Sequence, residues 1–315
     1  MKLIKGNMNF TIEEPTAISF GKFDGLHKGH KFLMQLLYEE QKRGLKTVAF
    51  SFQTPPNTIV KNAHDRLLTT EEEKIHVFSQ THIDYLIEYP FTETVMRMPA
   101  EDFLDKIVND LHVKSIIVGN DFRFGFQRQG DIYLLDRLSQ RYGYQLHVVD
   151  KVLFDNQEIS STLIRTLLIQ NKLKTVEELL GYPYFVMGTI EKGKQIGRTI
   201  GFPTLNIYPL QDKLLPPDGG YASRITIKGK RYYGITNIGT NPTVSNDATR
   251  VIETHVFEFH EDVYGENVKI ELLEFVREEK KYDSLDDLKK QIHQDVEQVK
   301  KRYLTQSEKS PTSKR

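Results

Sequence analysis

A glycine-rich stretch near the start of the chain carries two histidines at a spacing suited to phosphate chemistry. It reads GKFDGLHKGH from Gly21 to His30, and the apolar run KFLMQLL follows. Glycines allow a tight turn after a strand, and His27 and His30 fall on one face at the start of a helix. A helix N-terminus attracts phosphate, and two imidazoles add directional donors. The residues suit phosphoryl-group displacement. Two surface histidines in a glycine-rich loop fit the pattern at least as well when it is taken alone, and a zinc site fits it less well.

Two later segments carry groups that suit the same kind of site. Asn120 begins NDFRFG and could read a base or ribose, while Phe122 and Phe124 could flank a planar ring. The segment ISSTLIR (159–165) opens a helix that Ser and Thr cap, and Arg165 could reach a phosphate from its first turns. Taken alone, each segment is equally consistent with an ordinary loop or an ordinary capped helix.

A second glycine-rich stretch and a strand carboxylate stand in the C-terminal half. The sequence GKQIGRTIGFPTLN runs from Gly193 to Asn206, with Lys194 and Arg198 between glycines spaced four apart. Such a basic loop suits phosphates, although it also suits a plain turn. In the run IETHVFEF (252–259), Glu253 shares a strand face with His255 and Phe257. A carboxylate near an attacking hydroxyl suits kinase chemistry; a solvated strand glutamate is the alternative.

The elements around these motifs change character near Gly181. Before it, β-rich runs at 16–20, 46–52, 84–88, 114–118 and 144–150 alternate with helical patterns, which predicts βαβ units and a parallel sheet. After Pro183, closely spaced strands at 184–190, 221–228, 231–237, 252–259 and 267–275 predict an antiparallel barrel or sandwich, with Lys228-Gly229 as a hairpin turn. A capped helix begins at Ser284. We predict domains at 1–182 and 183–305 and a disordered tail at 306–315.

The amino-acid composition argues against several classes of protein for this chain. The chain has 315 residues, 38% hydrophobic and 27% charged, with no apolar run long enough to cross a bilayer and no signal-peptide pattern. Cysteine is absent, which excludes disulfides and thiolate chemistry and fits a reducing cytoplasm. Basic and acidic residues balance at 43 each, which argues against a nucleic-acid partner.

Together these motifs resemble a known family. GKFDGLHKGH is similar to the signature of HIGH-type nucleotidyltransferases and, more narrowly, of bacterial FAD synthetases. The Pro-Thr-Leu-Asn at 203–206 and the Asn-Ile-Gly at 237–239 resemble elements of riboflavin kinases. Over nearly its whole length the chain resembles the bifunctional riboflavin kinase/FMN adenylyltransferases.

The resemblance implies a fold, two reactions and a set of site residues. The fold is a Rossmann-like α/β domain with a parallel sheet, followed by a riboflavin kinase-like antiparallel β-barrel with a terminal helix. The reactions convert riboflavin and ATP to FMN and ADP, then FMN and ATP to FAD and pyrophosphate, with Mg²⁺ in both, in the cytoplasm, without a nucleic-acid or membrane partner. The implied catalytic residues are His27, His30 and Glu253, with Thr204 and Asn206 at the metal. The implied ligand-binding residues are Gly21, Phe23, Asp24, Gly25, Asn120, Asp121, Phe122, Arg123, Ser161, Thr162, Arg165, Gly193, Lys194, Gly197, Arg198, Gly201, Thr204 and Asn206.

The chain departs from the family pattern at four places, and two rival functions follow. Lys22 replaces Asn, Gln53–Pro56 lacks the His of a Pro-His-Pro element, Gln195-Ile196 replaces a more basic pair, and Gly220 replaces Val. One rival is a nucleotidyltransferase for another acceptor, such as a pantetheine or nicotinamide phosphate, which would need no second domain. The other is a flavin-binding regulator with decayed catalysis, against which the retained His27, His30, Thr204, Asn206 and Glu253 argue.

Overall fold

A computed structural model describes residues 1–6, 9–53, 66–193, 197, 201–241, 249–280, 282 and 284–304. The chain forms two compact units, Met1–Leu163 and Ile164–Arg315. Several predictions concern residues outside the described ranges. These residues are Thr54–Pro56, Lys194, the pair Gln195-Ile196, Arg198 and the tail at 306–315. Within the described ranges, no helix combines the length and apolar character that crossing a membrane requires.

The first unit is a parallel sheet flanked by helices. Its strands run in the order β1-β4-β3-β2-β5-β6, and every pair in this sheet is parallel. The strands are β1 (Lys2–Lys5), β2 (Thr16–Phe20), β3 (Lys46–Phe52), β4 (Tyr85–Tyr89), β5 (Val113–Gly119) and β6 (Gln145–Val149), followed by a small hairpin of β7 (Leu153–Phe154) and β8 (Gln157–Glu158). The helices are α1 (Lys28–Lys42), α2 (Glu71–Ser79), α3 (Glu93–Met96), α4 (Ala100–Asp110) and α5 (Ile132–Tyr142), and α6 (Ser161–Ile169) crosses the unit boundary.

Local signals explain where these helices begin and end. Thr70 caps α2 in a capping box with Glu73, as the Thr-Glu spacing predicts. Gly44, just beyond α1, has a φ of +95°, which only glycine adopts without strain. The central strands of the sheet are buried, since every residue of β2 is buried and β3 has no exposed residue. Buried parallel strands place their carboxyl ends at one edge, and the loops of the first site lie there.

The second unit is an antiparallel sheet closed into a barrel. Its strand order is β10-β13-β12-β11-β14-β9, and the Glu191 N–H donates to the Asn206 carbonyl at 2.8 Å, which joins the two edges. The elements are α7 (Leu173–Leu180), β9 (Phe185–Thr189), β10 (Leu205–Ile207), β11 (Gly219–Ile227), β12 (Lys230–Asn241), β13 (Thr249–Val256), β14 (Asn267–Glu278) and α8 (Leu285–Tyr303). The predicted hairpin turn at Lys228-Gly229 is confirmed, since both residues have positive φ between β11 and β12.

Candidate active sites

The loop between β2 and α1 holds the two histidines against each other. His27 is the N-cap of α1, and its Nδ1 accepts a hydrogen bond from the His30 backbone N–H at 3.3 Å. The two rings stack with centroids 3.7 Å apart and planes 17° from parallel. A neutral imidazole that accepts at Nδ1 carries its proton on Nε2. His27 therefore presents Nε2 as a hydrogen-bond donor.

Phe23 and Asp24 support this loop from the inside. The Asp24 carboxylate accepts the backbone N–H groups of Leu68 at 3.1 Å and Thr69 at 2.9 Å. Phe23 is fully buried, has a φ of +50°, and packs edge-on against Phe78. The sequence suggested ligand contact for both residues. In the structure their side chains support a turn in which Phe23 has positive φ, and neither is among the residues that line the cavity, so their contact with a ligand stays a prediction.

A cavity of about 480 Å³ opens beside the histidines. One part of its wall consists of the aromatic rings of Phe20, Phe52, Phe103, Phe122 and Phe124. Another part is polar and charged, formed by His27, His30, Asp121, Arg123 and Lys151, with Gly21 and Ser161 nearby on the same wall. An apolar wall with a few convergent polar groups is typical of sites for small molecules.

The arrangement of Phe122 and Phe124 limits where a planar ligand ring could lie. Phe122 and Phe124 stack on each other, with centroids 5.4 Å apart and planes 13° from parallel. A ring held between them would need about 7 Å, two van der Waals layers. A planar ligand ring therefore does not fit between the two side chains, and Phe20 stacks on Phe122 with centroids 5.4 Å apart.

Both histidines are held in the neutral form. Burial, and then the positive charge of Lys151, lower the pKa of His27 to about 4. Burial is also the main cause that lowers the pKa of His30 well below its ordinary value, followed by His27 and Lys74. The His30 Nδ1 is buried and has no hydrogen-bond partner among the described residues. The pair can therefore donate hydrogen bonds at neutral pH without placing a fixed positive charge in the cavity.

Two lysines beside the histidines were missed by sequence reasoning. Lys151 follows β6 at the same sheet edge, and its Nζ lies 2.7 Å from the Asp121 carboxylate. Lys74, on α2, lies 3.1 Å from the buried carboxylate of Glu88 and 3.3 Å from the Ser51 hydroxyl. The edge rule could have found Lys151, because it follows a predicted strand. Nothing in the sequence pointed to Lys74, which comes from a helix.

The remaining predicted residues of this half fall into different positions. Asn120 is exposed, lies outside the described cavity wall, and donates from Nδ2 to the Asp150 carboxylate at 2.9 Å. Ser160 caps α6 by accepting the Leu163 N–H at 3.2 Å, while the Ser161 hydroxyl donates to the Asp24 carbonyl at 2.8 Å. Gly25, with a φ of +83°, belongs to the strained turn, and Thr162 is exposed. Arg165 belongs to the second unit, so its reach to a phosphate stays a prediction.

The low pKa of His27 predicts a pH dependence of stability. The folded pKa is about 4, against about 6.5 in an unfolded chain. Between these values the unfolded state binds more protons, so stability is lost as pH falls from about 6.5 to 4. We expect this histidine to contribute a loss of about 3 kcal/mol over that range.

Denaturant unfolding at several pH values, followed with a probe in the first unit, measures this loss. The matched control is His27→Gln, which lacks the titrating ring. Its unfolding free energy should depend less steeply on pH than that of the native sequence. Parallel pH profiles for the two proteins would contradict the prediction.

On the barrel, a row of residues crosses five neighbouring strands. The register pairs Asn206 with Glu253, Glu253 with Asn237, Asn237 with Gly220, and Gly220 with Arg277. Directly opposed residues of antiparallel strands project on the same face. Asn206 and Glu253 are therefore side by side, as neighbours on β10 and β13. A Cβ at Gly220 would be in ordinary van der Waals contact with the Arg277 side chain, at 3.4 Å.

Helix α8 covers part of the face that carries this row. Phe257 and Ile235 lie on the same face and pack with Val296 and Val299 of α8. At the end of the row, Arg277 Nε donates to the Asp295 carboxylate at 2.7 Å, and Asp295 is almost fully buried. The row of residues therefore lies beside α8 on this face of the barrel.

Gly193, the first residue of the second glycine-rich stretch, lies directly against Asn206. A Cβ at Gly193 would come within 2.6 Å of the Asn206 amide, and one at Gly197 within 2.3 Å of the Phe202 carbonyl. Gly201 has a φ of +87°. Glycine is therefore required at Gly197 for the close approach to the Phe202 backbone, and it is favoured at Gly201 by the positive φ. The Asn206 Oδ1 is buried and accepts no hydrogen bond from the described residues.

Thr204 stands between the row and a second cavity. The Asn206 Nδ2 donates to the Thr204 carbonyl at 3.4 Å on one side. On the other, Thr204 lines a cavity of about 250 Å³ together with Pro203, Val256 and Tyr264. The Thr204 hydroxyl thus comes from the segment before β10, the Asn206 amide oxygen from β10, and the Glu253 carboxylate from β13. The protein therefore has two candidate sites, one in each unit.

Comparisons with known proteins give the family. The model described as FAD synthetase matches residues 9–163, and the model described as riboflavin kinase matches residues 180–303. The bifunctional riboflavin kinase/FMN adenylyltransferase of Haemophilus influenzae is 36% identical over 306 residues, covering 95% of this chain and 98% of that protein. The protein of the same description from Escherichia coli K12 is 35% identical over 301 residues, covering 94% and 96%. A solved structure from Streptococcus pneumoniae, titled a macrolide-efflux protein, is similar with a TM-score of 0.84 at 26% identity, covering 95% and 98%.

The chain belongs to the bifunctional riboflavin kinase/FMN adenylyltransferase family. It is a transferase of flavin cofactor biosynthesis that uses ATP in both of its reactions, with riboflavin and FMN as acceptors. The fold predicted from the sequence, a parallel α/β domain followed by an antiparallel barrel with a terminal helix, is confirmed.

Proposed function

We propose that the cavity of the first unit performs adenylyl transfer to FMN, with His27 and His30 as donors to the reacting phosphates. In this step an FMN phosphate oxygen attacks the α-phosphorus of ATP, and the bond to pyrophosphate breaks. Negative charge increases on the leaving pyrophosphate. The observation that carries the proposal is the His27 tautomer, because its accepting Nδ1 leaves Nε2–H as a donor. Arg123 and Lys151, on the same wall, add positive charge.

We propose that the row on the barrel performs phosphoryl transfer to riboflavin. The 5′-hydroxyl attacks the γ-phosphorus of ATP, the bond to ADP breaks, and Glu253 accepts the hydroxyl proton. Support comes from the register, in which Glu253 is the neighbour of Asn206, and from the close approach of Gly193 to the Asn206 amide. The amide oxygen of Asn206 and the hydroxyl of Thr204 are the groups that would hold Mg²⁺.

The residues on the barrel fit such a metal. Mg²⁺ prefers oxygen ligands and keeps waters and phosphate oxygens in its remaining positions. The buried Asn206 Oδ1 has no partner among the described residues, so it is available as a ligand. When bound, Mg²⁺ would neutralise charge on the phosphates of ATP.

A cytoplasmic location also stays a prediction, which the use of ATP in both reactions supports.

One assay tests both activities. Pure protein incubated with riboflavin, ATP and Mg²⁺, with the flavins separated by chromatography, should yield FMN and then FAD. Omission of Mg²⁺ should stop both products. A protein that binds flavins without converting them would favour the decayed regulator, and conversion of a different acceptor would favour another nucleotidyltransferase.

The two activities should be separable by truncation. A fragment of residues 1–182 should convert FMN to FAD and leave riboflavin unchanged, because Glu253 and Asn206 are absent. Helix α7 packs against β14 within the second unit, so its apolar face would be uncovered in this fragment. A fragment of residues 1–171 keeps α6 whole and omits α7, and it serves as the matched control. If the fragments fold but cannot make FAD from FMN, the assignment of the first site is wrong.

A further inference from the structure

His255 connects the strand that carries Glu253 to the segment that carries Thr204. It follows Glu253 by two residues on β13, so both side chains project on the same face. Its ring is half-buried, and Nδ1 lies 2.9 Å from the carbonyl oxygen of Pro203. A carbonyl only accepts hydrogen bonds, so Nδ1 must carry a proton and donate. Pro203 immediately precedes Thr204.

The His255 ring also packs against Phe202, the residue before Pro203. Phe202 stands edge-on to His255, with centroids 5.2 Å apart, and edge-on to His293 of α8 at 4.8 Å. The Phe202 N–H donates to the Gly197 carbonyl at 2.8 Å. A chain of contacts therefore runs from β13 through His255 and Phe202 to the glycine-rich segment.

Thr204 depends on such side-chain contacts because it lies just outside the strand ladder. Strand β10 begins at Leu205, whose partner is Thr254, and the ladder continues through Asn206 and Ile207. The register, extended by one residue, brings Thr204 opposite His255. The hydrogen bond to Pro203 thus links a side chain of β13 to the backbone next to Thr204.

We propose that His255 is a positioning residue of the phosphoryl-transfer site, which holds Thr204 and, through Phe202, the backbone at Gly197 in place relative to Glu253. The inference rests on the proposed function of the barrel. Loss of the hydrogen bond should loosen the groups that bind Mg²⁺ and the ATP phosphates, while Glu253 stays on its strand. The effect should therefore appear in the binding of Mg²⁺-ATP more than in turnover.

Two substitutions in the full chain separate the hydrogen bond from the packing. His255→Phe keeps a ring against Phe202 but has no donor. His255→Asn keeps an N–H donor near the position of Nδ1 but has no ring. For His255→Phe we expect the KM for Mg²⁺-ATP in riboflavin phosphorylation to rise about tenfold, the usual effect of losing one hydrogen bond. We expect kcat to change less than about threefold, and His255→Asn to recover most of the affinity.

The controls use the other half of the same protein. FAD formation from supplied FMN should be unchanged in both variants, and their unfolding transitions should match that of the native sequence. An unchanged KM for Mg²⁺-ATP in His255→Phe would overturn the proposal, as would equal losses in His255→Phe and His255→Asn. Failure of the barrel assignment is distinguishable, since Glu253→Gln would then retain normal riboflavin phosphorylation whatever the His255 variants do.

Discussion

Glu253→Gln is expected to lower kcat for riboflavin phosphorylation by roughly 10²- to 10⁴-fold, the usual contribution of a general base. Glutamine keeps the size and one acceptor oxygen of the side chain but lacks the charge and almost all of the basicity. An alcohol is a poor nucleophile, and Glu253 lies beside Asn206 where the attacking hydroxyl would be aligned. Steady-state formation of FMN measures the loss. The KM values for riboflavin and ATP should change much less than kcat.

Two controls accompany this substitution. FAD formation from supplied FMN should continue at the native rate, because that reaction belongs to the first unit. Glu258→Gln changes an exposed glutamate just beyond the same strand and should leave both reactions unchanged. Near-normal FMN formation by Glu253→Gln would show that Glu253 is a solvated strand residue and that another group accepts the proton.

His30→Ala is expected to slow FAD formation from FMN about a hundredfold, equivalent to about 3 kcal/mol of transition-state stabilisation. The side chain lines the cavity and stacks on His27 at the N-terminus of α1. Its removal takes away one imidazole donor and leaves the stacked partner unsupported. FMN formation from riboflavin should change little, because the barrel is a separate unit.

The burial of His30 makes a folding control necessary. His30→Asn keeps a polar side chain with a donor and leaves a smaller void, so it should lose less activity than His30→Ala. His82→Ala, which removes an exposed ring in the same unit, should be neutral. Equal losses of FMN and FAD formation in His30→Ala would point to a general folding defect. No loss of FAD formation would remove His30 from the mechanism.

Local sequence patterns were sufficient for the elements of the first unit and for the position of its histidines. The predicted strands at 16–20 and 46–52 match β2 and β3, because continuous apolar runs of this length between turn residues bury well in a parallel sheet. The four-residue β1 was missed, since its residues are largely exposed and show no periodicity. The inward position of Asp24 was also missed, because its partners lie 44 and 45 residues away.

For the barrel, the sequence by itself determined the residue types, the hairpin and the start of the last helix. Ser284 caps α8 by accepting the Asp287 N–H at 3.1 Å, as their spacing predicts. Only the tertiary structure decided that Asn206 and Glu253 are neighbours, that Gly193 passes over the Asn206 amide, and that His255 holds the Pro203 carbonyl. The physical reason is that caps and turns depend on residues a few positions apart. Strand order and register depend on how the whole sheet closes, which pairs residues about 50 positions apart.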